Sequence, residues 1–195
     1  MWKTIANIPD YSSILVFVGT NLGRVLTFKL LPDRSGAYTV QLAGIASLDD
    51  RIIMIHPLDI DNARPAYATG QAMSNLRDGP RISGVLLVVT STGVRIYKPA
   101  TAKGAHKNFN EVFCDSASVV SNIDGALGLV GLFGDGTAKT FSIPGLKEIA
   151  STRLDQFTDV RRFSEATIAS TGEILAWTGP SEVAVLDAWG SGRDE

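Results

Sequence analysis

Cysteine is almost missing from this chain. Its 195 residues hold one, Cys114, so no internal disulfide can form. A lone thiol suits a reducing compartment, and a buried structural role fits it better than reactivity. Long apolar runs are missing as well: the longest reach about six residues, far below the roughly 18 of a membrane span. Met1 to Asp10 has no charged-then-apolar leader pattern, so the expectation is an intracellular protein with no span. A basic excess is also lacking. Eighteen Lys and Arg against 20 Asp and Glu leave a net charge of −2, which argues against nucleic acid as the main partner.

The usual marks of catalysis are scarce too. His56, His106 and Cys114 lie on separate segments without metal-ligand spacing, and no Gly-x-Ser-x-Gly elbow occurs. The glycines at 128, 131, 134 and 136, followed by Lys139 and Thr140, fail as a phosphate-binding loop. The lysine is not adjacent to the last glycine, and the residues up to Pro144 alternate as a strand instead of opening a helix. The acids at Asp49-Asp50 and at Asp59 and Asp61 read as turn formers. No enzyme activity, cofactor or metal is therefore expected.

The chain does contain a repeated hairpin. Leu127 to Phe133 is a near-continuous apolar strand, Gly134-Asp135-Gly136 a turn, and Ala138 to Ile143 an alternating return strand stopped by Pro144. Similar phrases run over Ile14–Leu30, Gly84–Pro99 and Glu173–Trp189. With the turn glycine as marker, Gly23 to Gly93 is 70 residues, while Gly93 to Gly136 and Gly136 to Gly179 are each 43. A strand-built period of 40-odd residues is the signature of a β-propeller blade, whose four short strands cannot cover both faces until neighbouring blades stack on them. The long first interval predicts one insertion.

The chain then divides into a blade at 14–46 lacking its innermost strand, and a blade at 51–113 interrupted by an insertion at 58–83. A regular blade at 116–154 comes next, then a partial blade at 160–190 without its fourth strand. In the second blade, Arg51 to Pro57 is the expected inner strand and Asn108 to Phe113 the outer one. Ala66 to Leu76 reads as a short helix weakened by Gly70 and by the flanking Pro65 and Pro80. Two readings of the insertion compete, a contact loop on a rigid scaffold and an unstructured excursion. The tally of about three and a half blades makes an arc, since rings of this period mostly have seven. Its terminal blades would leave apolar faces uncovered, to be closed by another chain or by more of a longer protein.

Lys98 to Lys107, KPATAKGAHK, carries three lysines and a histidine with no acid. It reads either as a meeting place for phosphate or an acidic partner face, or as a plain solvated loop.

The phrases VGTNLGRVLTFKLLP, SGVLLVVTSTGVRIYKPATAKGAHK and GLVGLFGDGTAKTFSIPGLKEIAS resemble the second-propeller region of the lethal giant larvae (Lgl) family. The likeness is to its fungal exocytosis and polarity members, with tomosyn as a relative, and it covers Ile14 to Trp189. It implies a piece of the C-terminal half of a protein with two tandem seven-bladed WD-type propellers. It also implies a non-enzymatic cytosolic scaffold, peripheral at the plasma membrane, that binds plasma-membrane Q-SNAREs and takes input from secretory Rab GTPases and exocyst components. On this reading Arg77 and Arg81 of the insertion, with Lys103, His106 and Lys107 of the basic loop, are cationic contacts to an acidic helix or tail. A purely architectural propeller piece is the alternative. A small-ligand propeller enzyme is a third reading, but it needs inward-facing acids, and the inner strands offer only Glu165.

Overall fold

The computed structural model describes residues 2–10, 13–48, 50–59, 64–65, 85–97, 105–122, 125–154, 166–179 and 182–189. Regular structure in these residues is all β-strand, in antiparallel sheets. The chain forms two compact units, one of residues 1–90 and 94–104, the other of 91–93 and 105–195.

In the first unit, β1 (Trp2–Asp10), β2 (Ser13–Thr20), β3 (Arg24–Pro32) and β4 (Tyr38–Ser47) make one sheet in that order. The first sheet is therefore complete, where the sequence reading left it without an innermost strand. The weak patterning of β1 hid it, because its pairing comes from the β2 ladder, with Ile5 opposite Val18 and Ile8 opposite Leu15. Pro9 is tolerable there because β1 is an edge strand with no second partner to lose.

The second sheet of this unit joins β5 (Ile52–Asp59) to β6 (Arg64–Pro65), β7 (Val85–Thr90) and β8 (Gly93–Tyr97), in the order β6-β5-β7-β8. The expected inner strand runs two residues past Pro57. Leu58 is buried in β5, so the insertion begins later than position 58, and Arg64–Pro65 turns back to pair with β5. The rest of that insertion, including the expected helix at 66–76 and both Arg77 and Arg81, lies outside the described residues. Phe17, Val25 and the half-buried Leu15 pack on Ile52, Ile55, Leu86 and Val88, which joins the two sheets face to face. Each such side chain contributes roughly 1.5–3 kcal/mol over leaving it in water.

In the second unit, β9 (His106–Asn108) precedes a four-stranded sheet of β10 (Cys114–Ser121), β11 (Leu127–Phe133), β12 (Thr137–Ser142) and β13 (Glu148–Arg153). The organising hairpin forms as read, from Gly128 opposite Ser142 to Leu132 opposite Ala138. Its turn closes with Gly136 at φ 83°. Asp135 Oδ1 accepts from the Thr137 amide at 3.0 Å and the Thr137 hydroxyl at 2.6 Å. Every residue of β11 is buried, as a strand covered on both faces requires. The outer strand expected at Asn108–Phe113 instead ends at Asn108. Asn110 and Glu111 take φ values of 42° and 68°, left-handed backbone that a strand cannot hold.

The last sheet has β14 (Thr167–Ile168), β15 (Glu173–Gly179) and β16 (Glu182–Asp187). Val120, Val130, Leu132 and Ala138 of the preceding sheet pack with Leu154, Ile174 and Ala188 into one buried cluster. Buried Thr140 gives its hydroxyl hydrogen to the Ala188 carbonyl, so this polar side chain in an apolar layer is satisfied.

A backbone latch recurs. The residue just beyond an outer strand donates its amide to the tip of a hairpin: Leu48 to Gly23 at 2.7 Å, Phe109 to Thr92 at 2.8 Å and Leu154 to Gly136 at 2.8 Å. The turn spacing read from the sequence is thus a repeated hydrogen-bonding geometry.

Candidate protein-binding surface

Phe133 and Phe141 are placed by strand alternation. With Leu129 they occupy one face of the β11–β12 hairpin, opposite the face that carries Val130, Leu132 and Ala138. Phe109, on the latch residue after β9, closes the group. Its ring meets Phe133 edge-on at 5.0 Å and stacks on Phe141 at 5.7 Å. All three rings are buried. The Lys107 ammonium lies 4.9 Å from the Phe141 centroid, and the Lys139 ammonium 5.6 Å from that of Phe133. Both lysines are half-exposed, so each rests its stem and head on an aromatic surface while staying wet.

Of the cationic residues expected to act together, the structure describes two. His106 is exposed in β9, and Lys107 beside it is half-buried over Phe141. Lys103, Arg77 and Arg81 lie outside the described residues. Lys139 was missed because the sequence reading weighed it only as the lysine of a phosphate-binding loop. The available signal was its spacing of two from Phe141, which puts both on one face.

The other histidine is a different object. His56 is buried in β5 opposite Leu87, and loss of water around it pushes its imidazole down to about 4. It is therefore neutral at neutral pH. Cys114 is fully buried, its thiol donating to the Ser116 carbonyl at 3.2 Å. Asp33 and Glu173 are held below the usual carboxylate range, chiefly by the hydroxyls of Ser35 and Thr171. Both are exposed, Asp33 between β3 and β4 and Glu173 at the first position of β15. Among the described residues no three His, Cys, Asp or Glu side chains gather to hold a metal, and no helix is long and apolar enough to cross a membrane.

The first and last sheets each have one covered face and, on the other, a row of exposed apolar side chains. That of the first sheet lies on the edge strand β4, while Val18 on the same face is buried. In the first sheet, cross-strand pairing puts Leu42 beside Phe28 and Val40 beside Leu30, on the face opposite Phe17. Tyr38, Val40, Leu42 and Ile45 are all more than half exposed there. In the last sheet, Ile174 and Leu186 pack inward, while Leu175, Val183 and Val185 face out. Single exposed apolar residues are ordinary, but rows of them along one sheet face mark a surface made to be covered.

These features define a class: an all-β chain of antiparallel sheets that carry rows of exposed apolar side chains. Residues 5–195 match the family model described as lethal giant larvae (Lgl) like, C-terminal, and the chain belongs to that family. The lethal(2) giant larvae protein homolog SRO77 of Saccharomyces cerevisiae is 25% identical over 185 residues, covering 90% of this chain. The Schizosaccharomyces pombe protein C1F3.03 is likewise 25% identical over 185 residues, covering 93% of it. The chain spans 18% of the length of each of these curated relatives.

Proposed function

We propose that the chain is about three and a half blades of a seven-bladed WD-type β-propeller within an Lgl-type scaffold. That scaffold regulates SNARE-dependent exocytosis and cell polarity by protein binding, without enzymatic chemistry. The observation that carries this reading is the pair of exposed apolar rows, one on β4 of the first sheet and one on the last sheet. Blades bury such rows only against neighbours in a ring, and family membership supplies the scaffold role. The blades are 14–46 extended by β1, 51–113, 116–154 and 160–190.

The partners are a plasma-membrane Q-SNARE, a secretory Rab GTPase and exocyst components, met in the cytoplasm or at the periphery of the plasma membrane. Arg77, Arg81, Lys103, His106 and Lys107 supply the cationic contacts. The test is charge reversal, Lys103→Glu with Lys107→Glu, within the full-length protein. Weakened pull-down of the Q-SNARE or Rab supports the reading, and unchanged binding overturns it.

A second reading, a purely architectural piece with no ligand of its own, is favoured by the same exposed rows. The charge-reversal pull-down separates the two, and size-exclusion chromatography with light scattering tests whether the 195-residue chain stands alone. A discrete dimer supports an assembly that functions as it stands, and aggregation supports a part that works only within a larger ring.

A further inference from the structure

The geometry points to a two-lysine seat for an acidic peptide segment, built by Lys107 and Lys139 on the Phe109–Phe133–Phe141 cluster. It rests on the proposed cationic surface at His106 and Lys107, and adds to it a residue from a different strand. Lys107 comes from β9 and Lys139 from β12, yet their ammonium groups lie over rings whose centroids are 6.5 Å apart. Each ring is held by burial and by its aromatic neighbours, so each lysine is steered toward one position before a ligand arrives. Pre-ordering a long side chain lowers the entropy cost of an ion pair formed with it.

Among the described residues, neither ammonium is paired with a carboxylate. Glu148, opposite Phe141 in register and exposed, makes no ion pair with either lysine. The acid-free stretch from Lys98 to Lys107 adds Lys98 and Lys103 to the same sign of charge along the chain. Two cations positioned by buried rings suit a segment that brings two carboxylates to them.

The test uses the purified 195-residue chain and a fluorescein-labelled deca-glutamate peptide, read by anisotropy at low and physiological salt. Lys107→Gln and Lys139→Gln should each weaken binding about threefold and together about tenfold. Lys147→Gln removes an exposed lysine away from the aromatic cluster and should leave affinity unchanged. Lys107→Arg with Lys139→Arg keeps cations on the rings and should retain binding. Should the glutamine pair fail to fold, acetylation footprinting of the native chain replaces it: the peptide should protect Lys107 and Lys139 but not Lys147. Absence of binding, equal loss in Lys147→Gln, or no selective protection overturns the seat. Binding to phosphatidylserine vesicles but not to deca-glutamate also overturns it, in favour of a lipid surface. A deca-glutamate result that holds while Q-SNARE pull-down fails keeps the seat and removes the exocytosis reading.

Discussion

The indole N–H of Trp189 donates to the Thr171 carbonyl at 2.8 Å, which lays the ring against the turn between β14 and β15. A Cβ at Gly172 would come within 2.5 Å of Nε1, and one at Gly128, in the neighbouring sheet, within 2.8 Å of Cη2. One tryptophan thus fills the space left by two missing side chains. Gly172 is also at φ 106°, so Gly172→Ala should cost more than Gly128→Ala, where backbone strain is absent. Both should shift Trp189 emission and lower the denaturation midpoint, Gly172→Ala by the equivalent of about 3 kcal/mol. Chemical denaturation followed by tryptophan fluorescence checks this, with Trp2 and Trp177 replaced to isolate the signal.

Two further glycines separate strain from crowding. Gly23 and Gly36 both take positive φ, 69° and 85°. A Cβ on Gly36 meets nothing within 4 Å, whereas one on Gly23 would sit 2.3 Å from the Leu48 carbonyl oxygen. Gly36→Ala should therefore lose only the left-handed penalty, about 1 kcal/mol. Gly23→Ala should lose that and also push apart the Leu48 latch, for a total beyond about 3 kcal/mol. Equal thermal shifts for the two would show that the latch is not tight.

Acid should weaken the first unit through His56. Its folded pKa is about 4, below the ordinary 6.5, so the folded state resists the proton that the unfolded chain accepts. Stability is full above pH 6.5, falls as pH drops from there toward 4, and levels off below. The whole loss is on the order of 3 kcal/mol. His56→Leu should flatten that slope in urea titrations between pH 7 and 4.

The exposed apolar rows predict opposite results for two kinds of charge insertion. Leu42→Glu or Val185→Glu places a carboxylate where the side chain is already mostly exposed, so folding should be nearly unaffected and association reduced. Phe17→Glu, on the covered face of the same first sheet, should abolish the fold. Light scattering with thermal melts reads both effects. Association unchanged in Leu42→Glu and Val185→Glu would mean the end faces are not where copies meet.

Much was legible without coordinates where the physics is local. The hairpin of β11 and β12, the inner strand β5 and the turn glycines at 23 and 136 come from alternation and turn chemistry, which act within a few residues. Boundaries slipped where a neighbour in space set them. Leu58 reads as the start of a loop but is buried against other strands, and Phe113 reads as strand although the backbone has already turned at Asn110 and Glu111.

By itself, then, the sequence determined an all-β chain of repeated antiparallel hairpins and an approximate place for the hairpin strands, because those depend on side-chain period and on glycine. Tertiary structure alone decided that Trp2–Asp10 completes the first sheet, since that strand is held by its partner's ladder and not by its own pattern. It alone decided which apolar rows are covered, and that Lys107 and Lys139, from strands far apart in the chain, rest on one aromatic cluster. Alternation states that a strand has two faces, but only packing settles what each face meets.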